Sequence, residues 1–184
     1  MRHWLPFAAA ALVSACAGTG GSPTAPRSFD LGIAAPGAQL PPIRITAVRA
    51  AMPFESDAMH YRLAWRNPSE LASYATSRWA APPAELLRRQ LLRALPPNAG
   101  ARCALEIELQ EFTQVFASRD AGEARIELRA TLWNANERVV ARGWNISEPA
   151  QGSDALAGVA AFARASDRVI ATLADWILAQ PACR

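Results

Sequence analysis

Apolar and polar residues alternate most clearly around position 107. Leu105, Ile107 and Leu109 fall on one face of an extended chain, and Glu106, Glu108 and Gln110 on the other. The apolar set then moves to Phe112 and Phe116, a change of phase that predicts a β-bulge near Glu111. Turn residues at 120–122 lead into a second alternating run, in which Ile126, Leu128, Ala130 and Leu132 oppose Glu127, Arg129 and Thr131. Residues 134–136 supply a hairpin turn into a third strand over 139–146. Three antiparallel strands with one wet and one dry face need a cover on the dry face.

The last segment supplies that cover. Leu156, Val159, Phe162, Ala163, Ser166, Ile170, Leu173 and Ile177 follow a helical period, widened by Val169 and Trp176, with Ser153 as the expected N-cap. Arg164, Arg168 and Asp175 are expected on its solvent side. Upstream, residues 43–48 alternate, and residues 59–65 set Met59, Tyr61, Leu63 and Trp65 against His60, Arg62 and Ala64. Residues 71–75 predict a short strand. Pro82 and Pro83 open a helix that runs to Leu95, with Leu87, Leu91 and Leu95 at fourfold spacing. The fold class is therefore α+β, a mixed, largely antiparallel sheet packed against two main helices on one face. Helices on opposite faces are the alternative.

The amino-terminal residues carry a different signal. Arg2 gives a short positive region, residues 5–13 an apolar core, and Val13-Ser14-Ala15-Cys16 closes it as a lipoprotein cleavage box. Residues 1–15 read as a signal peptide. Cys16 is the expected lipidation site, and residues 16–28 a flexible tether rich in Gly, Pro and Ser. Residues 29–184 form one domain, long enough for a single core. The apolar stretch is far short of the roughly 20 residues a spanning helix needs. Ala17, where an Asp would favour inner-membrane retention, leaves the outer membrane as the expected destination.

Charge changes little. The net charge is +3, and the arginines are interleaved with glutamates, so nothing argues for nucleic acid. Beyond Cys16 two cysteines remain, Cys103 and Cys183; in an oxidising compartment a disulfide between them is physically sensible, with two separate thiols as the alternative. Metal binding has no support, because His60 is the one histidine after the leader and no CxxC spacing exists. The chain has no GxSxG elbow and no P-loop, and no cofactor is implied. Glu106, Glu108 and Glu111 resemble a carboxylate cluster only superficially, since alternation makes the first two ordinary solvent-facing strand residues. His60 reads as structural. No enzyme is expected.

A family resemblance lies in Met59-His60-Tyr61-Arg62-Leu63, in Leu71-Ala72-Ser73-Tyr74-Ala75, and above all in Arg78-Trp79-Ala80-Ala81-Pro82-Pro83 followed by Leu86-Leu87. With the lipoprotein box, the acidic strand at 105–112 and the terminal helix, this order resembles the ABC-type transport auxiliary lipoprotein family over about residues 29–180. One stretch departs from the family: residues 51–58 replace the usual segment after the first strand.

That resemblance implies a non-catalytic part in moving phospholipid or another hydrophobic cargo between membranes. Its implied partners are a mammalian-cell-entry domain protein and an ABC permease system, with a homo-oligomer also compatible. The rival reading is an envelope lipoprotein that stabilises a secretion or cell-wall machine through protein contacts. Tyr61, Arg62, Arg78 and Trp79 are the candidate partner-binding residues, Arg and Trp being favoured hot-spot types. Trp79 either anchors the helix start in the core or stands at a partner surface. Arg62 either faces solvent or pairs with Glu70.

Overall fold

The computed structural model describes residues 25–33, 39–96 and 100–183. Its elements are β1 (Arg27–Phe29), β2 (Arg44–Ala50), β3 (Ala58–Leu63), β4 (Ala72–Trp79), α1 (Pro83–Arg93), β5 (Cys103–Phe116), β6 (Gly122–Asn134), β7 (Glu137–Ala150) and α2 (Ala155–Leu178), with a 3-10 turn at Pro181–Cys183. The residues expected as signal peptide, and Cys16 as the expected lipidation site, lie outside the described residues.

The strands form one seven-stranded sheet in the order β1-β4-β3-β5-β6-β7, with β2 also paired to β5. Strands β5, β6 and β7 are antiparallel neighbours along their whole lengths, as the short turns between the alternating runs predict. The β5 register slips between Leu109 and Glu111. That bulge moves the inward set from Leu105, Ile107 and Leu109 to Phe112, and all four side chains are buried.

The other edge of β5 is filled by two shorter strands end to end, both parallel to it. β2 pairs from Arg44↔Ala104 to Ala50↔Leu109, and β3 from His60↔Thr113 to Leu63↔Phe116. Residues 51–57 bridge them, with Phe54 buried against the edge of the His60 ring at 5.4 Å between centroids. β4 runs antiparallel to β3, and β1 adds a parallel edge through Arg27↔Ser77 and Phe29↔Trp79. β1 begins at Arg27, so the first strand starts inside the stretch expected as tether.

Both helices belong to one continuous apolar core that includes Leu87, Leu91, Leu105, Leu109, Leu128, Leu173 and Ile177. α1 packs on β2, α2 on β6 and β7, and the helices touch each other. This leaves the outer face of the sheet to Glu106, Glu108, Arg49, Arg129 and Thr131. α1 starts on Pro83, whose missing N–H costs nothing at the first helical position. Asp154, not Ser153, caps α2: its carboxylate accepts from the Ala157 N–H at 2.8 Å. Arg164 and Arg168 do not simply face solvent, since both pair with Glu148, a buried carboxylate of β7.

At one end of the sheet Cys103 and Cys183 form a disulfide with Cα atoms 5.2 Å apart. It ties the start of the central strand to the turn after α2 and closes a loop 80 residues long. Loop-closure entropy puts the value of such a link at about 4 kcal/mol. Replacing both cysteines by Ala is expected to lower unfolding free energy by about that amount, measured by urea denaturation of the oxidised and double-variant proteins. Two alkylatable thiols in protein folded under oxidising conditions would remove the link.

Candidate functional site

Strand β3 divides its side chains between the two faces of the sheet, and the sequence-predicted residues divide with it. Tyr61 points to the helix side, beyond the reach of α2. There it meets Tyr74 at 4.8 Å and Phe116 at 6.5 Å between ring centroids. Leu63, Trp65, Ser118, Arg119 and Ser153 complete the walls of a recess of about 300 Å³. Trp65 is 44% exposed, and the Arg119 guanidinium lies 5.5 Å from its ring centre, a cation–π contact.

Tyr74, one of the lining residues, ties the recess to a buried polar group. Gln114 is buried, accepts from the Tyr74 hydroxyl at 2.9 Å and donates to the Asp154 carbonyl at 3.2 Å. Gly158 makes this possible, because a Cβ there would overlap the Gln114 amide. Burial, with smaller contributions from Tyr61 and Asp154, pushes the Tyr74 phenol up from 10.0 to about 12. The hydroxyl therefore stays a hydrogen-bond donor at neutral pH.

The remaining candidates do not join this site. Arg62 lies on the opposite face, where Nε and Nη2 donate to the two carboxylate oxygens of Glu111 at 3.1 and 3.3 Å. Its partner is thus Glu111 and not Glu70, brought across by the β3–β5 pairing. Thr113 also donates to Glu111. Arg78 is exposed at the β1–β4 edge, where its Nε donates to Ser28 Oγ at 3.3 Å and Asp57 lies 3.9 Å away.

Trp79 is corrected as a partner contact. It is 1% exposed and sits edge-on to Phe112 and Phe162 at 5.4 and 5.3 Å, while those two rings stack at 4.2 Å. It ends a strand in the core instead of opening the helix. Glu106 and Glu108 line a shallow depression with Arg49 and Arg129. His60 has an unpaired ring nitrogen against Phe54. Among the described residues no cluster of three or more His, Cys, Asp or Glu could hold a metal ion.

Sequence reasoning missed Phe116, Arg119 and Ser153 as members of the recess. Trp65 carried a usable signal, as the last member of the Met59, Tyr61, Leu63 face; Arg119 and Ser153 sit in connections and carried none.

A family model described as an ABC-type transport auxiliary lipoprotein component matches residues 33–174. Two crystal structures share the fold. One, a protein from Xanthomonas campestris, is 24% identical with a TM-score of 0.69, covering 83% of this chain and 95% of its own. The other, an uncharacterized protein, is 13% identical with a TM-score of 0.62, covering 83% and 99%. No curated protein matches the sequence.

Two outcomes follow from the Gln114 network. Gly158→Ala gains about 1 kcal/mol of helix propensity but forces Gln114 from two hydrogen bonds, so a net loss of about 1 kcal/mol is expected; adding Gln114→Ala should return the propensity gain. Tyr74→Phe should cost about 1 kcal/mol near neutrality. Below pH 10 the phenol is neutral in folded and unfolded chains, and the bond is intact. Between pH 10 and about 12 the unfolded chain loses the proton first, so stability falls as pH rises, and Tyr74→Phe should flatten that fall. Urea titrations across this range measure both.

Proposed function

Because this chain belongs to the ABC-type transport auxiliary lipoprotein family, we propose that it is a non-catalytic, lipid-anchored partner of an ABC-driven system that moves lipid between membranes. In this reading it docks or receives the periplasmic mammalian-cell-entry domain protein that works with the ABC permease. The cargo is a phospholipid or another hydrophobic molecule. The anchor is lipid on Cys16, and Ala17 after it favours the outer membrane.

The observation that carries the proposal is the extent of the family match, which runs from just behind β1 nearly to the end of α2 and so takes in most of the sheet and both helices. Among the described residues no helix is long and apolar enough to cross a membrane, and this reading assigns attachment to the lipid. An anchor confines the domain to a surface and raises the local concentration of any partner there, so modest contacts suffice for assembly. The charged residues of mixed sign on the sheet's outer face fit a docking surface better than a reaction centre.

Arg78 is the residue to test. It is exposed, and its side chain leans on two exposed neighbours, so reversing its charge leaves the core untouched. Trp79→Ala would instead open a cavity beside the stacked Phe112 and Phe162 at a cost of about 3–5 kcal/mol. With Arg78 in the interface, Arg78→Glu should weaken association with the cognate mammalian-cell-entry domain protein about tenfold, or 1.4 kcal/mol. Circular dichroism and melting should stay unchanged. A quantitative pull-down with the lipidated protein reads this: unchanged binding takes Arg78 out of the interface, and no binding by the wild type overturns the transport reading in favour of a role in another envelope machine.

A further inference from the structure

The chain enters the domain from a definite side. β1 is parallel to β4, with Arg27 opposite Ser77, so the residues before Arg27 come from the direction of Tyr74 and Ala72. Ala72 is paired with Tyr61, and Tyr61 with Gln114, near the end of β5. The tether therefore arrives at the end of the sheet that holds the aromatic recess.

Chain length limits where the anchor can go. Nine residues separate Ala25 from a lipidated Cys16, and at 3.3–3.6 Å each they reach at most about 30 Å. The opposite end, with Cys103 and the turn between β6 and β7, lies about ten strand residues in the other direction, roughly 33 Å along the sheet. It also lies across several strands from β1. The recess end can rest on the membrane, and the disulfide end cannot without pulling the tether taut around the domain.

The chemistry of the recess end suits that position. Trp65 is the most exposed of the described tryptophans, it carries a guanidinium over its ring, and two tyrosines and a phenylalanine stand behind it. Trp and Tyr concentrate at membrane–water boundaries because one part of each ring system is apolar and another hydrogen-bonds. Arg119 adds a cation beside the Trp65 ring, of the sign that pairs with lipid phosphates. The geometry points to the Trp65 end of the sheet as the face that lies on the lipid headgroups of the anchoring membrane, with the disulfide end held away from it. The inference rests on the proposed lipidation of Cys16.

The test uses the full lipidated protein in vesicles of phosphatidylethanolamine and phosphatidylglycerol doped with dibrominated phosphatidylcholine, which quenches tryptophan at the interface. Flotation first isolates membrane-bound protein. In that fraction quenching is expected for the wild type, is expected to be lost in Trp65→Phe, and is expected to persist in Trp133→Phe, which alters the far end of the sheet. Equal quenching in the wild type and Trp65→Phe would overturn the orientation while leaving the anchor intact. Protein that fails to float would defeat the anchoring premise, and the orientation with it.

Discussion

Strand β5 sets the constraint from which the rest of the sheet follows. Its fourteen residues lie in the middle of the sheet, where an unpaired backbone N–H or carbonyl has no water to turn to. β6 satisfies one edge throughout. The other edge is shared: β2 covers Ala104 to Leu109 and β3 covers Thr113 to Phe116. The join falls at the bulge, where Ala51 N–H still reaches the Leu109 carbonyl at 2.8 Å and Phe54 fills the space beneath the connection. Because β2 and β3 run the same way end to end, residues 51–57 only have to bridge them, and β4 takes the next place outward beside β3.

Magnitudes separate what holds α2 from what orients it. Each pair in the Trp79, Phe112 and Phe162 cluster adds about 0.5–1.5 kcal/mol beyond its burial. Burial itself contributes about 1.5–3 kcal/mol per large side chain. Glu148 with Arg164 and Arg168 is a weaker contribution, since the arginines are half exposed and such pairs give up to about 1 kcal/mol. Apolar packing therefore decides that α2 covers the sheet. The Glu148 pairs and the Gln114 contact beneath Gly158 fix where along the sheet it stops.

Much of the fold was legible because it is local. The alternation over Leu105 to Leu109 and Ile126 to Leu132, the phase change at the bulge, and Pro83 at a helix start each depend on a few adjacent residues. What was not legible depends on pairing over distance. Nothing in the alternation of residues 43–48 or 59–65 tells a strand whether its neighbour is parallel, so the tandem arrangement on β5 could not be read. Arg62 found Glu111, 49 residues away, while the sequence offered the nearer Glu70. β1 was hidden in a run of Gly, Pro and Ser, because a three-residue edge strand is specified by β4 and not by its own composition. For Trp79 the sequence left core and partner surface both open, and burial decides for the core, since on a strand adjacent side chains point to opposite faces and Arg78 takes the outer one. The same fact separates Arg62 from Tyr61, so the four candidates could not have formed one site. The recess itself was illegible: it is assembled from β3, β4, the end of β5 and the loop before α2.

The two ends of the sheet are built on different principles, and the difference bears on where partners can act. At the Cys103 end the central strand, the Asn134 side chain and the turn after α2 are joined by the disulfide and by bonds to the Ala182 carbonyl. That end is closed. At the Phe116 end α2 begins only at Ala155, and the aromatic side chains of β3, β4 and β5 line an open recess with no other described helix above them. A sheet that outruns its cover exposes apolar surface, which is costly unless something else shields it. Tyr61 and Tyr74 lower that cost by packing on each other, and Tyr74 by bonding Gln114 beneath. Trp65 does not, apart from the Arg119 contact. The end at which the described chain enters β1 is thus also the end with unspent apolar surface, whereas Arg78 and the charged outer face lie elsewhere on the domain.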